Sequence, residues 1–270
     1  MKTPIVLAHG MLGLAQAFIQ GLRLADYFKE IPDWLEENGC KVIIPQVEGI
    51  GSIKTRASNL KSQILQATDQ PVHIIAHSQG GLDARVVAHL RPDLVASVTT
   101  VSTPHHGSPV ADYALLIPGG AVVDVLVQLF GGPLWGAIDS DTSLVASMEQ
   151  FSTDGIAAFN EEYTDQPGVA YTSIAGRSDN ELAPSECASD DTPPFLTNWD
   201  GVQDPIDPLF AASEAIVDGG LFSSIPNDGL VRVDDAKWGT FIGCIPADHI
   251  DEIGHLFGDG AGGDNAFDHK

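Results

Sequence analysis

The chain has 270 residues, 43% of them apolar, enough for one domain of ordinary enzyme size with a large buried core. Lysine and arginine number 13 against 37 acids, a formal charge of −24; this argues against a nucleic-acid partner, whose phosphates must be neutralised by cations. Charged residues are only 19%, too few for a disordered acidic protein, and the most apolar stretch, 114–130, is broken by Pro118, Gly119, Gly120 and Asp124, so no membrane span is expected.

Ile5-Val6-Leu7-Ala8 reads as a strand, with no apolar leader and cleavage site before it. Residues 22–38 read as helical, with Gly39 as the stop. Lys41-Val42-Ile43-Ile44 is a second strand, closed by Pro45. Leu60, Ile64 and Leu65 give 56–68 a helical period. Val72-His73-Ile74-Ile75-Ala76 is a third strand, and Leu82, Val86, Val87 and Leu90 mark one face of the helix after it. A fourth strand covers 96–102. Uniformly apolar strands separated by helices predict a buried parallel sheet.

That alternation stops after Ser102. About 66 residues precede the next strand, at 169–175, far more than a crossover needs, so an insertion is expected. Inside it, a helix over 121–130 would carry only Asp124 and Gln128 as polar positions. It is too apolar to lie uncovered on a surface; a mobile lid and a core helix are the two readings.

The chemistry centres on Ala76-His77-Ser78-Gln79-Gly80-Gly81, a small-x-Ser-x-Gly run where strand becomes helix. A serine on so sharp a turn projects its hydroxyl from the sheet, and the residues two before and two after must be small because strand and helix nearly touch. Serine needs a base and an orienting acid to become a nucleophile, and in this architecture they follow it as acid, then histidine. His249 is the preferred base and His255 the second choice; His105 and His106 precede every late acid. Asp228, in the turn Asn227-Asp228-Gly229, is the preferred acid, with a plain surface turn as the competing reading. Of the three cysteines, Cys187 and Cys244 could pair, leaving Cys40 as a buried thiol; three thiols in a reducing cytosol fit equally.

Together, Pro4-Ile5-Val6-Leu7-Ala8-His9-Gly10-Met11-Leu12-Gly13, the Ser78 run, Arg91-Pro92-Asp93-Leu94, Asn227-Asp228-Gly229-Leu230-Val231 and His249-Ile250-Asp251-Glu252 resemble the bacterial true lipases of the Pseudomonas and Burkholderia type. The resemblance implies an α/β-hydrolase fold, a mostly parallel central sheet flanked by helices, as one domain over 1–270 with a helical lid inserted at about 110–160. It implies triacylglycerol hydrolysis at an oil–water interface by Ser78, Asp228 and His249, with the amides of Met11 and Gln79 as the oxyanion hole and His9 orienting that turn. It also implies a structural calcium ion on the carboxylates of Asp204 (Asp207 as fallback) and Asp251 and the carbonyls of His255 and Asp259. Secretion, with a dedicated folding helper, would follow from the family, against a cytoplasmic alternative. The chain departs from the family in one respect. Members with a disulfide place a cysteine six residues after the catalytic acid, where this chain has Asp234, so Cys187 would have to pair with Cys244 in another register. The competing functions are a soluble esterase on shorter esters, a non-catalytic lipid-binding module, and a metal hydrolase using His105 and His106.

Overall fold

The computed structural model describes residues 3–11, 16–19, 22–116, 141–178, 187–188, 191, 204–207, 210–219 and 225–254. Its centre is a six-stranded parallel sheet of β1 (Ile5–Ala8), β4 (Val42–Ile43), β5 (Val72–His77), β6 (Val95–Val101), β7 (Ala170–Arg177) and β8 (Thr240–Pro246), in the order β4-β1-β5-β6-β7-β8. The strands are buried as their apolar composition requires: Val6, Leu7, Val72, Ile74 and Ala76 are fully inaccessible. Around the sheet lie α1 (Ile31–Glu37), α2 (Ile53–Ala67), α3 (Gln79–Leu90), α4 (Pro109–Leu115), α5 (Asp141–Phe151), α6 (Thr153–Glu162), α7 (Ala211–Val217) and α8 (Val233–Ala236). Helix α2 buries Ile53, Ala57, Leu60 and Ile64 on one stripe; Ser52 caps it by accepting a hydrogen bond from the Thr55 amide.

The predicted helix over 22–38 is corrected. Residues Gln16–Ile19 and Leu22–Asp26 form a separate antiparallel pair, β2 and β3, and only Ile31–Glu37 is helical. The alternation Leu22-Arg23-Leu24-Ala25-Asp26 has the two-residue period of a strand, and Pro32 fits a helix only in its first turn, which sets the start at Ile31.

From β1 the chain runs outward to β4, then returns across β1 to β5. This reversal leaves a crevice beyond the carboxyl ends of β1 and β5, the place where open α/β sheets bind ligands. The turn at Gly10 follows β1 and Ser78 follows β5, so both open into that crevice. The expected insertion begins with α4, and α5 and α6 return the chain to β7; Ile156 and Phe159 of α6 are buried. The apolar helix read at 121–130 lies outside the described residues.

Cys187 and Cys244 form a disulfide, and Cys40 is a half-buried free thiol rather than a fully buried one. The bond ties β8, close in sequence to His249, to a segment 57 residues earlier. Loop-closure entropy for that span predicts that dithiothreitol, or Cys187→Ala, lowers the unfolding free energy by about 4 kcal/mol. A urea midpoint shift near zero would show that the bond constrains nothing.

Candidate active site

Ser78 has φ 54° and ψ −131°, a conformation that non-glycine residues rarely adopt. The surrounding structure holds it there. Its amide donates to the Val101 carbonyl (2.9 Å), and its own carbonyl accepts from the Gly81 amide (3.0 Å) and the Thr103 hydroxyl (2.7 Å). The requirement for small neighbours is literal. A Cβ on Gly80 would stand 2.4 Å from the Ala8 carbonyl oxygen, and one on Gly81 would stand 2.1 Å from Thr103 Oγ1. Ala76 is fully buried.

Asp228 and His249 meet as predicted by chain order: Asp228 Oδ2 accepts from His249 Nδ1 at 2.7 Å, with both side chains buried. The turn chemistry explains the aim. Asp228 Oδ1 accepts from the amides of Leu230 (2.9 Å) and Val231 (2.7 Å), which leaves Oδ2 for the imidazole, and the Asp228 carbonyl accepts from the His249 amide (2.9 Å). Gly229 closes the turn at φ 91°. The His249 ring lies against that of His77, centroids 4.5 Å apart, and His77 directly precedes Ser78. The loop after β8 thus comes to the end of β5 that bears the serine.

The turn after β1 abuts the serine from the other side. A Cβ on Gly10 would sit 2.7 Å from Ser78 Cβ and 3.2 Å from its Oγ, so only glycine lets the two approach. Arg56, fully buried and paired through Nε with Asp83 (2.8 Å), donates through Nη2 to the carbonyls of His9 (2.7 Å) and Gly10 (3.2 Å) and through Nη1 to that of Glu48. In a trans peptide the N–H points opposite to the C=O. A guanidinium gripping the Gly10 carbonyl therefore turns the Met11 amide away from Arg56. His9 hydrogen-bonds the Gly10 carbonyl through Nδ1 (2.9 Å) and accepts from the Val47 amide through Nε2 (3.2 Å). Burial, then the Arg56 charge, lowers its pKa to about 4, so it is a neutral strut and not a base. The other amide, that of Gln79, opens α3, whose dipole favours negative charge; the Gln79 side chain is anchored by donating to the Gly51 carbonyl (3.1 Å).

A group of buried acids lies beside His249. Asp204, Asp248 and Asp251 each offer a carboxylate oxygen within 4.8 Å of the others, and all are buried. Asp204 is 1% exposed, and its Oδ2 has no hydrogen-bond partner among the described residues. Burial first, then the negative charge of Asp248, raises Asp204 to about 8; burial and Asp207 raise Asp248 to about 7. Crowded, desolvated carboxylates with an orphaned oxygen suit a hard cation with oxygen ligands, and calcium fits this donor set. Of the two alternatives upstream, Asp204 joins the cluster, while Asp207 contributes its amide to Asp248 Oδ2 (3.2 Å). His255 and Asp259 lie outside the described residues. Asp248 was missed from sequence, although it adjoins His249 and could have been found as a third acid in Asp248-His249-Ile250-Asp251.

His105 and His106 do not form a metal pair. His105 is buried against Thr100 (3.0 Å), Arg85 (3.3 Å) and the face of Trp238, and burial followed by the Arg85 charge holds it well below the usual histidine range. His106 is exposed and bonds the Lys237 carbonyl (3.2 Å).

Residues 3–117 match the family model described as alpha/beta hydrolase fold. The chain is 35% identical over 277 residues to a triacylglycerol lipase of Vibrio cholerae, covering 95% of this chain and 81% of that protein. It is 29% identical to a triacylglycerol lipase of Burkholderia plantarii, covering 95% and 80%. Among solved structures, the mature Bacillus licheniformis lipase BlEst2 superposes with a TM-score of 0.64 at 19% identity, over 93% of this chain and 86% of that one, a likeness of fold.

Proposed function

The chain belongs to the bacterial lipase family of α/β hydrolases, ester-hydrolysing enzymes, and from that premise we propose that it cleaves triacylglycerols through an acyl-enzyme on Ser78. The observation that carries the reading is the strained serine turn abutting Gly10 on one side while the His77 side chain beside it packs on the Asp228-bound His249. His249 Nε2 takes the Ser78 proton as Oγ attacks the ester carbonyl. The Met11 and Gln79 amides receive the developing alkoxide, one at the turn oriented by Arg56 and one at the α3 N-terminus. Asp228 fixes the imidazole with its proton on Nδ1 and stabilises the imidazolium. His249 then protonates the departing alcohol, and water, activated in the same way, releases the fatty acid.

Calcium on Asp204, Asp248 and Asp251 would offset two of the cluster's three negative charges and anchor the turn bearing His249, with no part in bond-making. The Cys187–Cys244 bond supports an oxidising compartment, hence secretion, over the cytoplasm. No helix among the described residues is long and apolar enough to cross a membrane. The lipase relatives support a lipid ester met at an oil–water interface as the substrate.

A p-nitrophenyl alkylphosphonate is expected to inactivate the enzyme with one equivalent bound, peptide mapping to find it on Ser78, and emulsified tributyrin to release butyrate until that label is added. Label on another residue, or hydrolysis that survives labelling, would overturn the reading.

A further inference from the structure

Behind the nucleophile lies a buried chain of polar groups that the ester mechanism leaves unused. The Tyr27 hydroxyl accepts from the Gly10 amide (3.0 Å) and lies 2.6 Å from His77 Nδ1. His77 Nε2 lies 3.4 Å from Glu252 Oε2, and Glu252 Oε1 accepts from the Ser102 hydroxyl, which in turn accepts from the Gly176 amide (3.0 Å). His77, Ser102, Glu252 and Tyr27 are all buried. Burial keeps Tyr27 a phenol, its pKa pushed far up. Burial, with the neighbouring Asp228 charge next, holds Glu252 well above the usual carboxylate range. With the phenol donating to Nδ1, the His77 proton rests on Nε2 and faces Glu252 Oε2 at 3.4 Å, a close approach and not a hydrogen bond, so the links that bear on the turn are those of Tyr27 to Gly10 and to His77.

The consequence falls on the turn after β1. Gly10 and Met11 carry consecutive amides, and either could face the crevice. Tyr27 occupies the first. A Cβ on Gly10 would stand 2.7 Å from both Tyr27 Oη and Ser78 Cβ, so the hydroxyl, the turn and the serine are in direct apposition. We propose that Tyr27 and His77 are positioning residues for the oxyanion hole: the phenol, seated on His77, holds the Gly10 amide so that the Met11 amide is the donor this turn offers the alkoxide. Arg56 fixes the same peptide by the His9 carbonyl and the next one by the Gly10 carbonyl, so the turn is held at its donor and at its acceptors. This inference rests on Ser78 as nucleophile and on Met11 as an oxyanion donor.

The test compares parent, Y27F, H77L and H77N by turnover of p-nitrophenyl butyrate, by the rate at which the phosphonate labels Ser78, and by thermal midpoint. An oxyanion donor misplaced by a fraction of an ångström weakens transition-state binding and leaves substrate binding alone. Y27F and H77L are therefore expected to lower kcat and the labelling rate about 10- to 100-fold with KM within about threefold of parent. H77N keeps an acceptor near the Nδ1 position and is expected to recover most of that loss. Y27F reacting at the parental rate, or H77N no better than H77L, overturns the proposal. If Y27F does not fold, the contrast between the two His77 variants decides it. A parent whose phosphonate label falls elsewhere than Ser78 refutes the underlying assignment instead, so the two failures are distinguishable.

Discussion

Ser78→Ala is expected to lower kcat on soluble and emulsified esters by about 10⁶-fold, on the scale set by removal of the nucleophile from serine hydrolases. The fold is expected to survive. The Ser78 side chain does not cap α3, since no hydrogen bond runs from it to the helix amides, and its backbone contacts with Val101, Gly81 and Thr103 do not involve the hydroxyl. Alanine also accepts the φ of 54° no worse than serine does. The measurement is therefore a pair: turnover, and the urea midpoint. A variant that keeps more than about 1% of parental turnover, after purification free of host esterase, would remove Ser78 from the reaction. The same variant keeps the crevice intact and is suited to trapping bound ester.

Calcium is expected to stabilise the protein strongly at alkaline pH and scarcely at all near pH 5. Asp204 titrates at about 8, and Asp248 and Asp83 at about 7, in each case chiefly because burial disfavours the charged form. In the unfolded chain these groups titrate in the ordinary carboxylate range near 4. Between about pH 4 and 8 the folded, metal-free protein thus holds more protons than the unfolded chain. Its stability is full below the unfolded values and falls as pH rises through 7 and 8. A cation on Asp204, Asp248 and Asp251 replaces the protons and reverses that loss for the cluster, though not for Asp83, whose partner is Arg56. At saturating calcium, on the order of a thousandfold above Kd, the gain is about 4 kcal/mol. In a chain of this size that moves the thermal midpoint by roughly 10 °C. The check is a set of melting curves from pH 5 to 8.5 in EDTA and in millimolar calcium. Curves that coincide at pH 8.5 would exclude the ion from this cluster.

Much of this molecule is legible in one dimension because its determinants are local. The apolar runs at Ile5, Val72 and Val95 can only be interior strands, and the Ser78 turn announces itself by the small residues two positions away on either side. Asp228 is legible for a similar reason: the Asn-Asp-Gly turn binds one carboxylate oxygen to its own amides and presents the other. What escaped was set by partners distant in sequence. Nothing near Tyr27 signals that its hydroxyl meets Gly10, nor near Arg56 that it reaches back to His9. Residues 22–38 misled because Leu24, Phe28, Ile31 and Leu35 have the spacing of a helical stripe, while the strand period and Pro32 carried the correct message.

The order in which these parts occur along the chain bears on synthesis. The serine turn and the peptide that faces it lie within residues 9–81, whereas the acid and base arrive with Asp228 and His249, 150 and 171 residues after Ser78. At roughly 5–20 residues per second, the ribosome takes about 10–30 s to span that gap. Throughout that interval the nascent enzyme carries a serine with no base to activate it. A cell making it is shielded from its hydrolytic action until the segment bearing His249 has been synthesised.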